Sequence, residues 1–224
     1  MDSSIHTPSD LEQLYRARFS GSLAYRMKVW QPLCRFFSKW TPANGAVLDI
    51  GCGYCEFINQ IPAREKFGID MNPDTRHRAV PEMHLMPQDC SATWNLPADK
   101  LDTVFSSNLF EHLPTKAHLE NTLKEAFRCL RPGGHLIAMG PNITYVGGAY
   151  WDFYDHHLPL TEKALAEVLR KCGFDITVEC PRFMPYTMAH GPKYPVWMVS
   201  VYLALPLAWP LFGKQFLVVA RKPL

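Results

Sequence analysis

The chain has 224 residues, 47% of them hydrophobic, which suffices for one domain with a sizeable core but not for two full domains. Its 23 lysines and arginines against 21 acidic residues give a net charge of +2. This balance supplies no broad cationic surface of the kind that nucleic-acid binding requires. We therefore expect a single domain and no nucleic-acid partner.

The seven cysteines, an odd number, are scattered along the chain, and several lie in segments apolar enough to be buried strands or helices. Such cysteines are typical of reduced thiols rather than of a disulfide framework. The first residues, MDSSIHTPSDLEQLYRARF, contain early acids, no basic stretch and no apolar run, so they do not resemble a secretory signal. We expect the protein to be cytoplasmic.

Apolar residues recur at helical spacing between Asp10 and Trp40. Gly21 and Pro32 interrupt this pattern and are expected to break the helix there. We predict two or three amphipathic helices, and we assign residues 1–43 to this N-terminal helical segment.

The pattern then changes, because short apolar runs alternate with stretches of helix length. Two stretches are clear helices: one stops at the Pro-Gly-Gly after Arg131, and the other begins after Thr161, a good N-cap, and ends at Gly173. Alternating strands and helices are typical of βαβ units and a mostly parallel sheet. The predicted strands lie in AVLDIGCG, KFGID, HLMPQD, LDTVFSSN, HLIAMG and KQFLVVAR.

Residues 194–213 carry no charge over a length that could form a membrane helix. The segment contains three prolines, and the last predicted strand follows it at once. A spanning helix between two strands of one sheet would keep the last strand from pairing. We therefore expect a buried or interfacial insertion rather than a transmembrane helix.

The strongest local signal is VLDIGCGYCEF, in which an apolar strand ends in a glycine-containing turn. Gly51 and Gly53 allow the backbone to turn tightly and to approach a ligand closely, and the helix expected to follow would present free N–H groups. A nicotinamide site is the rival interpretation, but its fingerprint needs a third glycine where this chain has Glu56. The sequence thus predicts a ligand at this turn and disfavours a dinucleotide.

VLDIGCGYCEF resembles the first motif of class I S-adenosylmethionine-dependent methyltransferases, and further resemblances follow in order up to about residue 180. They are found in FGID, MPQDCSATWNLP, LDTVFSSNLFEHLP and LRPGGHLIAMGPN. The resemblance implies an enzyme that uses S-adenosyl-L-methionine. It also implies a Rossmann-like α/β fold, with a seven-stranded, mostly parallel sheet, helices on both faces and an antiparallel last strand.

In this family an acid at the end of the second strand takes the ribose hydroxyls, a role that the resemblance gives to Asp70. Asp89 would accept the adenine amino group, with the Cys90 backbone beside it. Cys55 departs from many relatives, which have a third glycine there. The other cofactor-binding residues that the resemblance implies are Asp49, Gly51, Cys52, Gly53, Met71 and Asn108.

Two arrangements raise the question of a metal. Cys52 and Cys55 have the C-x-x-C spacing of some zinc and redox sites, but no second pair of ligands lies at zinc spacing. Some quinone-type relatives hold a divalent metal with acids and a histidine, and the earlier acid of that pattern is Asn108 here. We expect no metal.

Methyl transfer to a hydroxyl needs an aligned acceptor and the removal of a proton. His112 is one candidate base, although the Glu111-His112 pair more often organises its loop in this family. His156 is the other, with Asp155 as its orienting partner. His157 precedes the next helix as a loop-bracing histidine does in relatives, and we place it beside the acceptor.

Two variable segments are expected to enclose the acceptor: the loop after the fifth strand and the insertion 182–213, which acts as a cap. The loop offers Tyr150, Trp151 and Tyr154, whose rings could stack on a sugar or an aromatic group or simply pack. The predicted division is therefore an N-terminal helical lid (1–43), a cofactor-binding core (44–181), the apolar cap and a last strand (214–224).

The strings WDFYDHHLPLTEKAL, PRFMPYTM and LPLAWPLFGKQFLVVARKP resemble methyltransferases of bacterial polysaccharide and glycolipid gene clusters. This resemblance implies a sugar hydroxyl as acceptor, carried on a lipid, with residues 194–213 resting on the inner face of the membrane. Two alternatives stay open: a soluble O- or N-methyltransferase of small molecules, and a catalytically silent relative. The sequence does not give the oligomeric state.

Overall fold

The computed structural model describes residues 8–19, 21–186 and 193–224. Residues 1–7 of the predicted lid and 187–192 of the predicted cap lie outside the described residues, as does the end of the PRFMPYTM string.

Seven strands form one sheet in the order β3-β2-β1-β4-β5-β7-β6. β1 to β5 pair in parallel, and β7 is antiparallel to both of its neighbours, as predicted. β1 is buried along its whole length because both faces of the sheet are covered, which explains its continuous apolar run. The strands are β1 (Ala46–Ile50), β2 (Glu65–Ile69), β3 (Met83–Met86), β4 (Leu101–Ser107), β5 (Leu130–Pro141), β6 (Asp175–Cys180) and β7 (Gln215–Arg221).

Helices cover both faces of the sheet. They are α1 (Pro8–Phe19), α2 (Leu23–Phe37), α3 (Lys116–Cys129), α4 (Ile143–Val146), α5 (Glu162–Lys171), α6 (Val196–Ala204) and α7 (Trp209–Phe212). Neighbouring strand residues alternate between two hydrophobic clusters. Val104 of β4 packs in the cluster with α3 and α5, and Phe105 packs in the cluster with α2.

The two clearest helix predictions are confirmed. Thr161 caps α5, since its hydroxyl accepts the backbone N–H of Ala164 at 3.1 Å. Gly173 follows the helix with a φ of +98°, the left-handed conformation that glycine adopts most readily. α3 ends at Cys129, and β5 begins directly after it.

Two local predictions are wrong. α2 continues through Pro32, where a break was expected, because Trp30 and Leu33 on the same stretch are packed in the core and hold the helix against the sheet. No regular helix follows the glycine turn: residues 54–61 form a series of turns, closed by the N–H of Asn59 on the Cys55 carbonyl at 3.1 Å. Residues 51–64, which join β1 to β2, therefore contain turns where a helix was expected.

Residues 194–213 form two short helices, α6 and α7, joined by a 3₁₀ turn at Pro206–Ala208. The segment packs on α2, where the ring of Trp209 meets Phe36 at a centroid distance of 5.8 Å. Among the described residues, no helix is both long and apolar enough to cross a membrane. Several large apolar side chains of this segment stay exposed, and we call them the apolar cap face: Trp197, Val201, Leu205, Leu207, Leu211 and Phe212.

Candidate active site

The strand order places a crevice at the carboxyl end of β1. The chain goes from β1 to β2 on one side and later returns to β4 on the other side, so the connections leave in opposite directions. Ligands of open α/β sheets bind at such a switch point, outside the carboxyl ends of the strands. The loops after β1, β2, β4 and β5 therefore define the candidate site.

The turn after β1 has an unusual backbone. Gly51, Gly53 and Cys55 have φ values of +69°, +49° and +62°. A Cβ at Gly51 would lie 2.8 Å from a side-chain carbon of Leu109, so only glycine fits without movement. Cys55 adopts the left-handed conformation with a side chain, which is strained, and a glycine at this position would not be.

Three carboxylates gather around this turn. Asp70 accepts the backbone N–H groups of Gly53 at 2.6 Å and Asn72 at 2.8 Å. Burial raises the pKa of Asp70. Burial, followed by the negative charges of Glu56 and Asp70, raises the pKa of Asp49 well above its usual value. Because these three carboxylates repel one another, a positively charged ligand would stabilise the pocket.

The charges at this turn also bear on the choice between S-adenosylmethionine and the dinucleotide that the sequence disfavours. S-adenosylmethionine carries a sulfonium and an ammonium group, which suit the carboxylates of Asp49, Glu56 and Asp70. A dinucleotide would bring an anionic pyrophosphate to the same turn, where no helix N-terminus receives it. One cation is already present, as Arg26 Nε of α2 lies 2.7 Å from Glu56 Oε1. The residues fit S-adenosylmethionine better than a dinucleotide.

The remaining predicted cofactor residues lie at the same edge of the sheet. Asp89, after β3, accepts the N–H of Ser91 at 2.7 Å, and the Cys90 carbonyl accepts the indole N–H of Trp94 at 2.9 Å. Asn108, after β4, has a φ of +52° and donates its backbone N–H to Met139 at 2.8 Å. Met71 is half-buried beside Asp70. These placements are consistent with adenosine binding by this edge, which stays a prediction for each residue.

Cys52 and Cys55 lie buried as free thiols in the turn. A hydrogen bond with Cys55, together with burial, raises the pKa of Cys52 well above its usual value, which disfavours the thiolate that zinc would need. Among the residues that the structure describes, the group able to offer three ligand atoms to a metal ion is a different one, Glu111, His112 and His156. The expectation of a metal-free enzyme stays a prediction.

The acceptor side of the crevice is built around Asp155. His112 Nδ1 lies 3.0 Å from the Asp155 carbonyl oxygen and 3.1 Å from its Oδ2. Arg18 of α1 grips the same carboxylate with two hydrogen bonds, of 2.6 Å and 2.9 Å. Burial would raise the pKa of Asp155, but the hydrogen bonds from His112 and Arg18 outweigh it and hold this pKa well below its usual range.

The pairing predicted for Asp155 is therefore wrong, since the carboxylate orients His112 and not its neighbour His156. His156 packs among rings, 5.1 Å from Phe153 and 4.8 Å from His112 between centroids. Burial lowers the pKa of His156 to about 4, which makes it a weak base. Burial alone would also lower the pKa of His112, but the hydrogen bond to Asp155 and the charge of Glu111 raise it.

The predicted acceptor residues separate into two groups. Tyr150 is fully buried, and its hydroxyl donates to the Leu158 carbonyl, so it packs behind the site and cannot stack on an acceptor as predicted. Its phenol group finds a polar partner inside, which lets the whole ring leave the surface. Trp151 is 56% exposed and Tyr154 is 90% exposed. His157 donates its backbone N–H to the Glu111 carbonyl at 2.7 Å, which ties the two loops together.

Sequence reasoning missed several residues that shape the site. The sequence analysis used Glu56 only as the residue that replaces the third glycine of the dinucleotide fingerprint. A single acid within an apolar run is itself a signal of a buried functional charge. The partner of Glu56, Arg26, lies thirty positions earlier, and the contact of Arg18 with Asp155 joins residues 137 positions apart. No local pattern reveals pairs of this kind.

The fold is an α/β fold whose candidate site suits a cationic nucleoside cofactor, and comparison with known proteins gives the family. The family described as a methyltransferase domain matches residues 22–179, and the chain belongs to it. A relative from Mycolicibacterium smegmatis, named "Probable S-adenosylmethionine-dependent methyltransferase", is 31% identical over 144 residues. That match covers 60% of this chain and 53% of the relative, so the chain spans about half the length of this curated relative.

Solved structures show the same fold. A chain of the structure described as "Complex between the Haloferax volcanii Trm112 methyltransferase activator and the putative methyltransferase" superposes with a TM-score of 0.67 at 15% identity, covering 94% of this chain and 97% of that one. A SAM-dependent methyltransferase of Archaeoglobus fulgidus gives a TM-score of 0.64 at 23% identity, with coverages of 94% and 99%. The chain thus belongs to the family of class I S-adenosylmethionine-dependent methyltransferases and has their Rossmann-like fold.

Replacing Asp70 with alanine tests the cofactor site. We expect Asp70→Ala to weaken S-adenosylmethionine binding by about 100-fold, because it removes charged hydrogen-bond acceptors from the ribose and from the Gly53 turn. Isothermal titration calorimetry measures the dissociation constant, and thermal unfolding checks the fold. Asp175→Ala, an exposed acid on edge strand β6, is the matched control. Unchanged binding by a folded Asp70→Ala protein would contradict the assignment.

Proposed function

We propose that this enzyme transfers the methyl group of S-adenosylmethionine to a hydroxyl of a sugar or glycolipid, with His112 as general base. The observation that carries the proposal is the His112–Asp155 pair at the carboxyl end of β4. Because Nδ1 donates to the Asp155 carbonyl oxygen, the lone pair of neutral His112 lies on Nε2. The side chain of His112 is 27% exposed, so an acceptor can reach it.

A hydroxyl acceptor explains why such a pair is useful. The cofactor supplies a methyl group already activated by its sulfonium. The chain must then hold the acceptor in line and take up its proton as the new bond forms, steps to which a positioned base typically contributes ~10² to 10⁴-fold. Of the two predicted histidines, His112 is the one whose pKa is raised and whose carboxylate partner orients it.

Exposed rings next to the pair favour a sugar as acceptor. Trp151 and Tyr154 lie in the loop that carries Asp155, and both present uncovered faces. Flat aromatic faces commonly stack on the apolar faces of sugar rings. We also assign His157 to the wall of this acceptor pocket, since its backbone links the loop to Glu111.

The apolar cap face favours an acceptor attached to a lipid. Isolated exposed apolar residues are ordinary, but this face collects many of them on neighbouring turns, with Leu207 exposed to 90%. Lys193 and Lys214 flank the segment, and no acid lies within it. Such a surface fits the inner face of an anionic membrane. Tyr186, near the start of the cap (182–213), packs 6.1 Å from the ring of Phe153, beside the acceptor pocket.

Replacing His112 tests the base. We expect His112→Gln to lower kcat by about 100-fold and to abolish the fall in rate at acidic pH, since protonation of His112 causes that fall. The pH profile of kcat measures both effects, and cofactor binding should stay unchanged. His156→Gln is the comparison variant: loss of the acidic limb in His156→Gln, and its retention in His112→Gln, would assign the base to His156 instead.

Removing two leucines tests the membrane face. We expect Leu207→Ser/Leu211→Ser to reduce the partition coefficient onto phosphatidylglycerol-containing vesicles by about 100-fold, because each buried leucine contributes about 1.5 to 3 kcal/mol. Vesicle sedimentation measures the bound fraction. Leu224→Ser, at an equally exposed leucine outside the face, should bind like wild type. Failure of the wild-type protein to bind vesicles would contradict membrane contact.

Labelled cofactor identifies the class of acceptor. The protein is incubated with methyl-labelled S-adenosylmethionine and an extract of its host cells, and the label is counted in the organic and aqueous phases. We expect label in the organic phase that mild acid releases into water, as from a lipid-linked glycan. Label confined to the aqueous phase would instead support a small-molecule O- or N-methyltransferase. Asp70→Ala is the inactive control, and label in neither phase with wild type would favour a catalytically silent relative.

A further inference from the structure

We propose that Arg18 is a positioning residue for the transfer reaction, because its guanidinium holds the Asp155 carboxylate in the orientation that fixes His112. The inference rests on the proposed role of His112 as base. Arg18 Nη1 and His112 Nδ1 both contact Oδ2 of Asp155, at 2.9 Å and 3.1 Å, and Arg18 Nη2 holds Oδ1 at 2.6 Å. One carboxylate thus joins helix α1 to the candidate base.

The contacts of Arg18 are too specific for an ordinary surface ion pair. Its side chain is only 16% exposed, and that of Asp155 is 7% exposed. The guanidinium also lies 4.9 Å from the centroid of the Phe153 ring, which stacks on His156. A bidentate pair with a ring beneath the guanidinium fixes the carboxylate in position and angle, whereas a lysine would supply only a point charge.

Arg18 also acts on the charge of Asp155, the carboxylate that His112 contacts. Glu111 from its own loop and Asp155 from the opposite loop both favour the protonated form of His112. Arg18 from α1 offsets the charge of Asp155. The neighbouring side chains of His156, Tyr150 and Tyr186 are held neutral by burial. Removal of Arg18 therefore leaves His112 facing two uncompensated carboxyl groups, and the histidine holds its proton to higher pH.

The course of α1 explains how one helix serves both sides of the crevice. Arg16 grips Asp74, after β2, with contacts of 3.0 Å and 3.1 Å, while Arg18 grips Asp155, after β5. Side chains two positions apart point in different directions from a helix. α1 thus lies across the crevice with one arginine on each rim, and only the arginine on the acceptor rim touches the partner of His112.

The test is a nuclear magnetic resonance titration of the histidines in the full chain. We expect the pKa of His112 to rise by about one unit in Arg18→Met, with a smaller rise in Arg18→Lys, which keeps the charge. Arg16→Met is the matched control, since it removes an arginine from the same helix without touching Asp155. The His112 signal is identified by its absence from His112→Gln, and cofactor binding and thermal unfolding check the fold of each variant.

The pH profile of kcat links this shift to the reaction. We expect its acidic limb to move to higher pH in Arg18→Met by the same amount as the pKa of His112. An unchanged His112 pKa in Arg18→Met, or an equal shift in Arg16→Met, would overturn the inference. Wild-type kcat in His112→Gln would overturn the base role instead, and the titration would still show whether Arg18 controls Asp155.

Discussion

The crevice depends on buried negative charge at the end of β1. Asp49 and Glu56 are buried and Asp70 is half-buried at one turn, and burial of such carboxylates costs several kcal/mol per ion unless partners offset it. The chain supplies backbone N–H groups from Gly53 and Asn72 and the cation of Arg26. A cationic cofactor supplies the rest, so the same charges that destabilise the free pocket favour the bound one.

The backbone of the turn serves this charge arrangement. The positive φ values of Gly51 and Gly53 turn the chain sharply enough for the Gly53 N–H to reach Asp70 on the neighbouring strand connection. Leu109, from the loop after β4, fills the space where a Cβ of Gly51 would lie. The glycine turn, Asp70 and the loop after β4 therefore constrain one another. Cys55, at the end of the turn, adopts a strained left-handed backbone conformation.

Sequence patterns predicted the parts of this molecule that depend on local order. Continuous apolar runs gave the buried strands, and Thr161 and Gly173 marked the ends of α5. β6 was not singled out because it is an edge strand with alternating exposure and polar residues, which weakens its apolar signal. The helix after Gly53 was predicted from the usual strand-to-helix pattern, but only turns form between β1 and β2.

On the acceptor side, the sequence could not reveal which side chains contact one another. Asp155 and His156 are adjacent, which suggested a pair, yet Asp155 contacts His112 and His156 packs among rings. The contacts of the proposed base join Arg18, His112 and Asp155, which lie in three distant segments. Tyr150 was likewise predicted to contact the acceptor because it lies in a loop. In the structure its hydroxyl donates to the Leu158 carbonyl, which allows the ring to be buried.

The two rims of the crevice differ in chemistry in a way that suits group transfer. The cofactor rim is rich in buried carboxylates, whereas the acceptor rim combines one carboxylate, shared by Arg18 and His112, with exposed rings and the nearby cap. A cationic donor is favoured on the first rim and a neutral, partly apolar acceptor on the second. Because α1 carries one arginine to each rim, this helix contacts both sides of the crevice, and Asp155 is the residue through which it meets His112, the proposed base.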